Sequence, residues 1–133
     1  MQPAAQRSTS RGRILIADDE PHIRRILQTV LELDGFEVDL RHDGTDALEA
    51  IGGDQHYDLI LLDIMMPGAT GLEILGKIRE MDSRKSTPVV ILTAKGQDAD
   101  RQAAFSLGAD DFLTKPFSPK KLIARIHEII AGD

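Results

Sequence analysis

The sequence predicts a three-layer α/β sandwich in which five βα units wind around one parallel sheet of strand order 2-1-3-4-5. Three observations carry this prediction. Short apolar runs alternate with amphipathic stretches five times along the chain, the pattern of a mostly parallel sheet with helices on both faces. Leu59–Leu62 and Val89–Leu92 are apolar at every position, as strands covered on both faces are. Phe36–Leu40 instead alternates apolar with polar residues, as a half-buried edge strand does.

Arg13–Ala17 is the first strand, and the first helix runs from about Glu20 to Asp34. Pro21 sits in its first turn, where a missing N–H costs nothing. Ile23, Ile26, Leu27, Val30 and Leu31 are spaced as one inward helical face, and Gly35 ends the helix. After the edge strand, a short helix over Thr45–Ile51 stops at Gly52-Gly53. The third strand is Leu59–Leu62, and a loop through Pro67 and Gly68 leads to a helix over Gly71–Met81 that buries Leu72, Leu75 and Ile78. Val89–Leu92 is the fourth strand. Asp98–Leu107 is a weaker helix whose apolar face draws on Ala99, Ala103, Ala104, Phe105 and Leu107. Asp111–Thr114 is the last strand, and the final helix starts at Ser118 or Pro119 with Leu122, Ile123, Ile126, Ile129 and Ile130 inward. Right-handed crossovers prune the topologies, and the order 2-1-3-4-5 puts the alternating strand at the edge. This is the flavodoxin-like doubly wound arrangement, with its switch point between strands 1 and 3.

Composition narrows the function classes. The 133 residues form one domain, expected over 13–133 behind a flexible tail at 1–12. With 22 acidic against 16 basic residues, direct nucleic-acid binding through a basic surface is not expected. No cysteine is present, so disulfides and thiolate metal sites are excluded. No apolar run approaches the roughly 20 residues of a membrane span, and the first residues lack the apolar core of a secretory signal. Membrane insertion is not expected, and a cytoplasmic location follows by elimination.

The chemistry lies at the ends of the strands. Asp18-Asp19 follows the first, Asp63 the third and Lys115 the fifth, so a parallel sheet brings all four to one rim. A hard divalent ion needs about six oxygen ligands and keeps several waters, so one or two carboxylates with a phosphate oxygen suffice. Asp19 and Asp63 are the expected direct ligands, Asp18 a ligand directly or through water, and the Met65 carbonyl completes the set. Asp63 is the candidate nucleophile, since a carboxylate can capture a phosphoryl group covalently; the alternative is that it caps the following loop. Lys115 brings a point charge on a flexible stem, suited to Asp63 and then to a phosphoryl oxygen. Thr93 ends strand 4 with a hydroxyl able to donate to that oxygen, and Ala94 beside it leaves room for a donor or water. Lys115-Pro116 is a candidate cis bond. His22, His42, His56 and His127 are scattered and read as surface or packing residues, and no phosphate-cradling glycine motif occurs.

These segments resemble the receiver domain of bacterial two-component response regulators. The matching stretches are Ile14-Leu15-Ile16-Ala17-Asp18-Asp19-Glu20-Pro21, Leu61-Leu62-Asp63-Ile64-Met65-Met66-Pro67-Gly68, Leu92-Thr93-Ala94 and Gly108-Ala109-Asp110-Asp111-Phe112-Leu113-Thr114-Lys115-Pro116-Phe117. The resemblance implies Mg²⁺-dependent phosphotransfer to Asp63, with Mn²⁺ able to substitute. The donor is a sensor histidine kinase or histidine phosphotransfer protein, and the only reactions are self-phosphorylation and autodephosphorylation. It implies that Thr93 and Phe112 form the switch, that output leaves through the fourth helix, fifth strand and fifth helix, and that Met65, Ala94 and Lys95 tune phosphoryl lifetime. Phe112 stands where many relatives have Tyr.

Phe112 to Arg125 resembles the winged-helix transcription-factor subfamily, in which Asp111 and Arg125 match one dimer-forming pair. Lys121 stands where Glu is usual, facing Arg101, and Leu107 replaces an acidic residue. Like charges disfavour that interface, so a monomer or weak phosphorylation-dependent dimer is expected. With its end just past the fifth helix, the chain is expected to be a single-domain, chemotaxis-regulator-like protein that acts on a downstream protein. A receiver fragment of a larger transcription factor or hybrid kinase is the alternative, as is a Mg²⁺-dependent aspartyl phosphohydrolase. The latter usually needs an acid-base carboxylate where Met65 stands.

Overall fold

The computed structural model describes residues 10–94 and 97–131, so the expected tail and Lys95 fall largely or wholly outside the described residues. The elements are β1 Gly12–Ala17, α1 Pro21–Leu33, β2 Phe36–Arg41, α2 Gly44–Gly52, β3 Leu59–Leu62, α3 Gly71–Glu80, β4 Val89–Thr93, α4 Asp98–Ser106, β5 Asp111–Thr114 and α5 Pro119–Ala131. All five strands are parallel in the order β2-β1-β3-β4-β5, as the sequence predicts.

The sheet separates two apolar layers. Side chains of successive strand residues point to opposite faces, so Ile14, Ile16, Leu59, Leu61, Val90 and Leu92 pack under α1 and α5 with Leu27, Leu31, Leu122 and Ile126. Leu15, Ile60, Leu62, Ile91 and Phe112 pack on the other face with residues of α2, α3 and α4. Two inward assignments differ from the sequence expectation. Ile26 is exposed at the rim of α1, and α4 buries only Ala104, leaving Phe105 and Leu107 exposed. Ile26 lies at the edge of the α1 face whose buried centre is Leu27 and Leu31, and α4 meets the sheet only through the short side chain of Ala104.

Register sets the functional rim. Ala17 lies opposite Leu62 in the β1–β3 ladder, so the next residues, Asp18 and Asp63, emerge side by side. The Asp63 amide donates to the Ala17 carbonyl at 3.0 Å, and the Lys115 amide donates to the Thr93 carbonyl at 2.9 Å. Gly71 lets the loop after β3 fold back. A Cβ there would stand 2.3 Å from the Asp63 carbonyl oxygen, inside any allowed contact.

Candidate functional site at the carboxyl edge of the sheet

Lys115 is the centre of the site. Its Nζ lies 2.7 Å from Asp18 Oδ2, 2.7 Å from Glu20 Oε1 and 3.1 Å from Asp63 Oδ2, which occupies the three donors of an ammonium. Asp18 is 2% exposed and Asp63 5%. The Glu20 amide donates to Asp18 Oδ1 at 2.9 Å, while the Met65 amide reaches Asp63 Oδ1 at only 3.4 Å. Asp63 is thus held more loosely than Asp18, its contacts being 3.1 and 3.4 Å against 2.7 and 2.9 Å.

The electrostatics follow from crowding in a dry pocket. Burial pushes the Asp18 carboxyl above its ordinary value, against the pull of Lys115 and the Glu20 amide, and nearby Asp63 adds to the rise. The hydrogen bond from Lys115 lowers the pKa of Glu20. Burial works against the Lys115 charge, but the carboxylates outweigh it, and its pKa is raised. One oxygen from each of Asp18, Glu20 and Asp63 lies within 4.8 Å of the others. With Lys115 among them these carboxylates keep two negative charges in excess, and an all-oxygen donor set of that charge suits a hard divalent cation.

The other predicted residues fall around this centre. Asp19 is exposed and outside the group of three. Thr93 is fully buried at the end of β4, Ala94 is exposed next to it, and Met65 presents a 55% exposed side chain over the rim. Phe112 is buried beside Ile91, with which it is in register. The Lys115-Pro116 bond is cis. Asp111 and Arg125 pair with each other inside the chain at 2.6 Å.

Glu20 is the site residue that sequence reasoning missed. A signal was present: continuing the strand alternation past Ala17 puts residues 18 and 20 on one side and 19 on the other. Nor does any spacing rule link Arg101 to Phe112, which its guanidinium covers.

Comparison with known proteins agrees with this geometry. The family model described as response regulator receiver domain matches residues 14–127. The chain is 43% identical over 122 residues to the transcriptional regulatory protein ResD of Bacillus subtilis (strain 168), covering 92% of this chain and 49% of ResD. It thus spans about half the length of the curated relatives it matches. Among solved structures, chemotaxis response regulator CheY4 of Vibrio cholerae superposes with a TM-score of 0.81 at 31% identity, covering 88% of this chain and 97% of that one. The Mn²⁺-bound form of response regulator Rcp1 gives 0.77 at 29%, covering 89% and 91%. Transcriptional and chemotaxis regulators both lie within this range, so the subfamily is not distinguished. Sequence, strand order and the Lys115-centred carboxylates agree that this chain belongs to the response regulator receiver domain family.

Proposed function

We propose that the chain is a phosphoacceptor of a two-component relay and that Asp63 takes the phosphoryl group. The supporting observation is the nearly buried Asp63 carboxylate, which shares Lys115 with Asp18 and Glu20 at the carboxyl edge of the sheet. An Asp63 oxygen attacks the phosphorus of a phosphohistidine on a sensor kinase or histidine phosphotransfer protein. A P–O bond forms, the P–N bond breaks, and the imidazole nitrogen keeps the electron pair. Lys115 balances charge on the transferring oxygens, and Thr93 donates its hydroxyl to one of them.

Asp18, Asp19, Asp63 and the Met65 carbonyl would hold Mg²⁺ or Mn²⁺, with the Glu20 carboxylate alongside. The ion would supply neutralisation of the phosphoryl oxygens. Met65, Ala94 and Lys95 would tune access of water to the acyl phosphate. A downstream protein reads the α4–β5–α5 face in the cytoplasm, where Thr93 and Phe112 report the state of Asp63, and the intrachain Asp111–Arg125 pair favours a monomer or weak dimer.

Intact-mass analysis with a small phosphodonor and Mg²⁺ tests the reading. The wild type should gain about 80 Da, one phosphoryl group, and Asp63→Asn should not. No gain in the wild type would overturn the proposal.

A further inference from the structure

Phe112 is held in place by a cation as well as by packing. The ring is 2% exposed within the apolar layer that also contains Ile91 and Ala104. Arg101, one turn into α4, lays its guanidinium over that ring with Cζ 4.8 Å from the centroid. Its Nη1 also donates to the Phe112 carbonyl at 3.3 Å. Arg101 therefore grips both side chain and backbone of one residue, across the seam between α4 and β5. Among the described residues it has no carboxylate partner, unlike Arg41, Arg79 and Arg125, which pair with aspartates. The planar guanidinium suits a ring face better than an ammonium does.

We propose that Arg101 is a positioning residue that latches Phe112 inward, making the seating of α4 the determinant of ring position. Phenylalanine fits this device because its ring has no hydroxyl to lose a hydrogen-bond partner on burial. A tyrosine there would be drawn toward water by its polar tip, whereas Phe112 is released only when Arg101 moves. The latch deepens the regulation of the site and rests, for its signalling meaning, on Asp63 being the phosphoacceptor. The proposed switch requires that a phosphoryl group on Asp63 favour the inward ring; binding energies of two coupled sites are reciprocal, so a change that frees the ring then weakens binding of a phosphoryl mimic.

The test uses the full chain labelled with 4-fluorophenylalanine, which reports Phe36, Phe105, Phe112 and Phe117, with Phe112→Leu assigning the resonance of interest. A soluble gadolinium chelate broadens exposed fluorines. In the wild type, Phe112 should be protected like Phe36 and Phe105 should broaden. Arg101→Ala should increase the broadening of Phe112 at least threefold with Phe36 unchanged, and Arg101→Lys should recover only part of the protection. Arg101→Ala should also bind beryllofluoride with Mg²⁺ at least threefold more weakly. If Phe36 also broadens in Arg101→Ala, Arg101→Met, which keeps the volume without the charge, decides in its place. Phe112 equally protected in wild type and variant overturns the latch, and unchanged beryllofluoride affinity overturns its link to the site. Failure of the wild type to bind beryllofluoride would count against the phosphoacceptor reading alone, because the fluorine comparison does not need it.

Discussion

Helices α3 and α4 are ten and nine residues long and cover the same face of the sheet, yet they are anchored in opposite ways. α3 opens on a capping box between Thr70 and Glu73 and buries Ile74, Leu75 and Ile78. Its last turn is tied down by Arg79, which donates to the carbonyls of Thr87 and Gly108. α4 has no side-chain cap at Gln97 and buries Ala104 alone. Few buried apolar contacts mean low local stability. The well-anchored helix thus begins at Gly71, which packs on the Asp63 carbonyl, and the loosely packed one carries Arg101 over Phe112. A phosphoacceptor must hold its nucleophile still, and a switch needs an element that is inexpensive to move.

The largest effect that can break this contrast is on the scaffold side. Buried Arg84 donates to the carbonyls of Ile51, Gly53 and Gln55 and stacks on Tyr57 at 5.1 Å. It thereby joins the end of α2 to the turn after α3. Charge-assisted hydrogen bonds are worth about 1.5–3 kcal/mol each, and part of that is recovered from water at the exposed Gly53 and Gln55. Arg84→Ala should cost about 3 kcal/mol by chemical denaturation; a loss below about 1 kcal/mol would show that this side is not the rigid half.

Acid should loosen the same side by a smaller amount. Arg41 bridges Asp39 of β2 and Asp46 of α2 at 2.9 and 3.0 Å. Burial raises the Asp39 carboxyl, but hydrogen bonds from Arg41 and Tyr57 outweigh it and hold its pKa below the ordinary carboxylate value. Asp46 is lowered likewise, burial being outweighed by Arg41 and His42. The Tyr57 hydroxyl is pushed up to about 12 by burial and then by Asp39, so it donates at every pH considered. A carboxyl whose folded pKa is depressed stabilises the fold above its unfolded value and loses that contribution as pH falls through the folded value. Asp39→Asn should therefore cost about 1 kcal/mol at pH 7 and distinctly less at about pH 3, where the unfolded carboxyl is already largely protonated. A cost equal at both values would refute the ion-pair origin.

The sequence made one half of this comparison far more legible than the other. Uniformly apolar runs such as Leu59–Leu62 and stops such as Gly35 gave the sheet and its order, and the strand ends gave Asp18, Asp63 and Lys115, because these depend on local pattern. Glu20 lies one step past the Asp-Asp pair, on the same side as Asp18 when the strand alternation is continued beyond Ala17. Arg84 and Arg101 escaped because their partners lie 29 to 33 and 11 residues away and no periodicity links them. Phe105 and Leu107 suggested an apolar face on α4, but counting apolar residues does not tell which of them meets the sheet.

The two helices also differ at their first residues. Thr70→Ala removes the side-chain oxygen that accepts from the Glu73 amide at 3.2 Å and should cost about 1 kcal/mol in denaturation. Gln97→Ala, at the equivalent place on α4, removes no such bond and should change stability by only about 0.3 kcal/mol. Equal losses would erase the distinction between the two helix starts.

The smallest effect is also the most direct test of why α4 is loose. Gln97→Ser would place a hydroxyl where an N-cap oxygen can accept from an amide of the first turn, and serine is among the preferred residues there. Aspartate would cap as well, but Asp98 and Asp100 already crowd the first turn with negative charge. The gain should be about 0.5 kcal/mol, too little to shift global unfolding much. Hydrogen exchange resolves it, because local opening of α4 lies well below global unfolding in energy. The Ala103 and Ala104 amides should exchange about twofold more slowly, the factor that 0.5 kcal/mol corresponds to at 25 °C, and the α3 amides should not change. Since Arg101 lies in the stabilised turn, the Phe112 fluorine should become slightly better protected in the same variant. Slower exchange without that added protection would mean that α4 and the ring move independently.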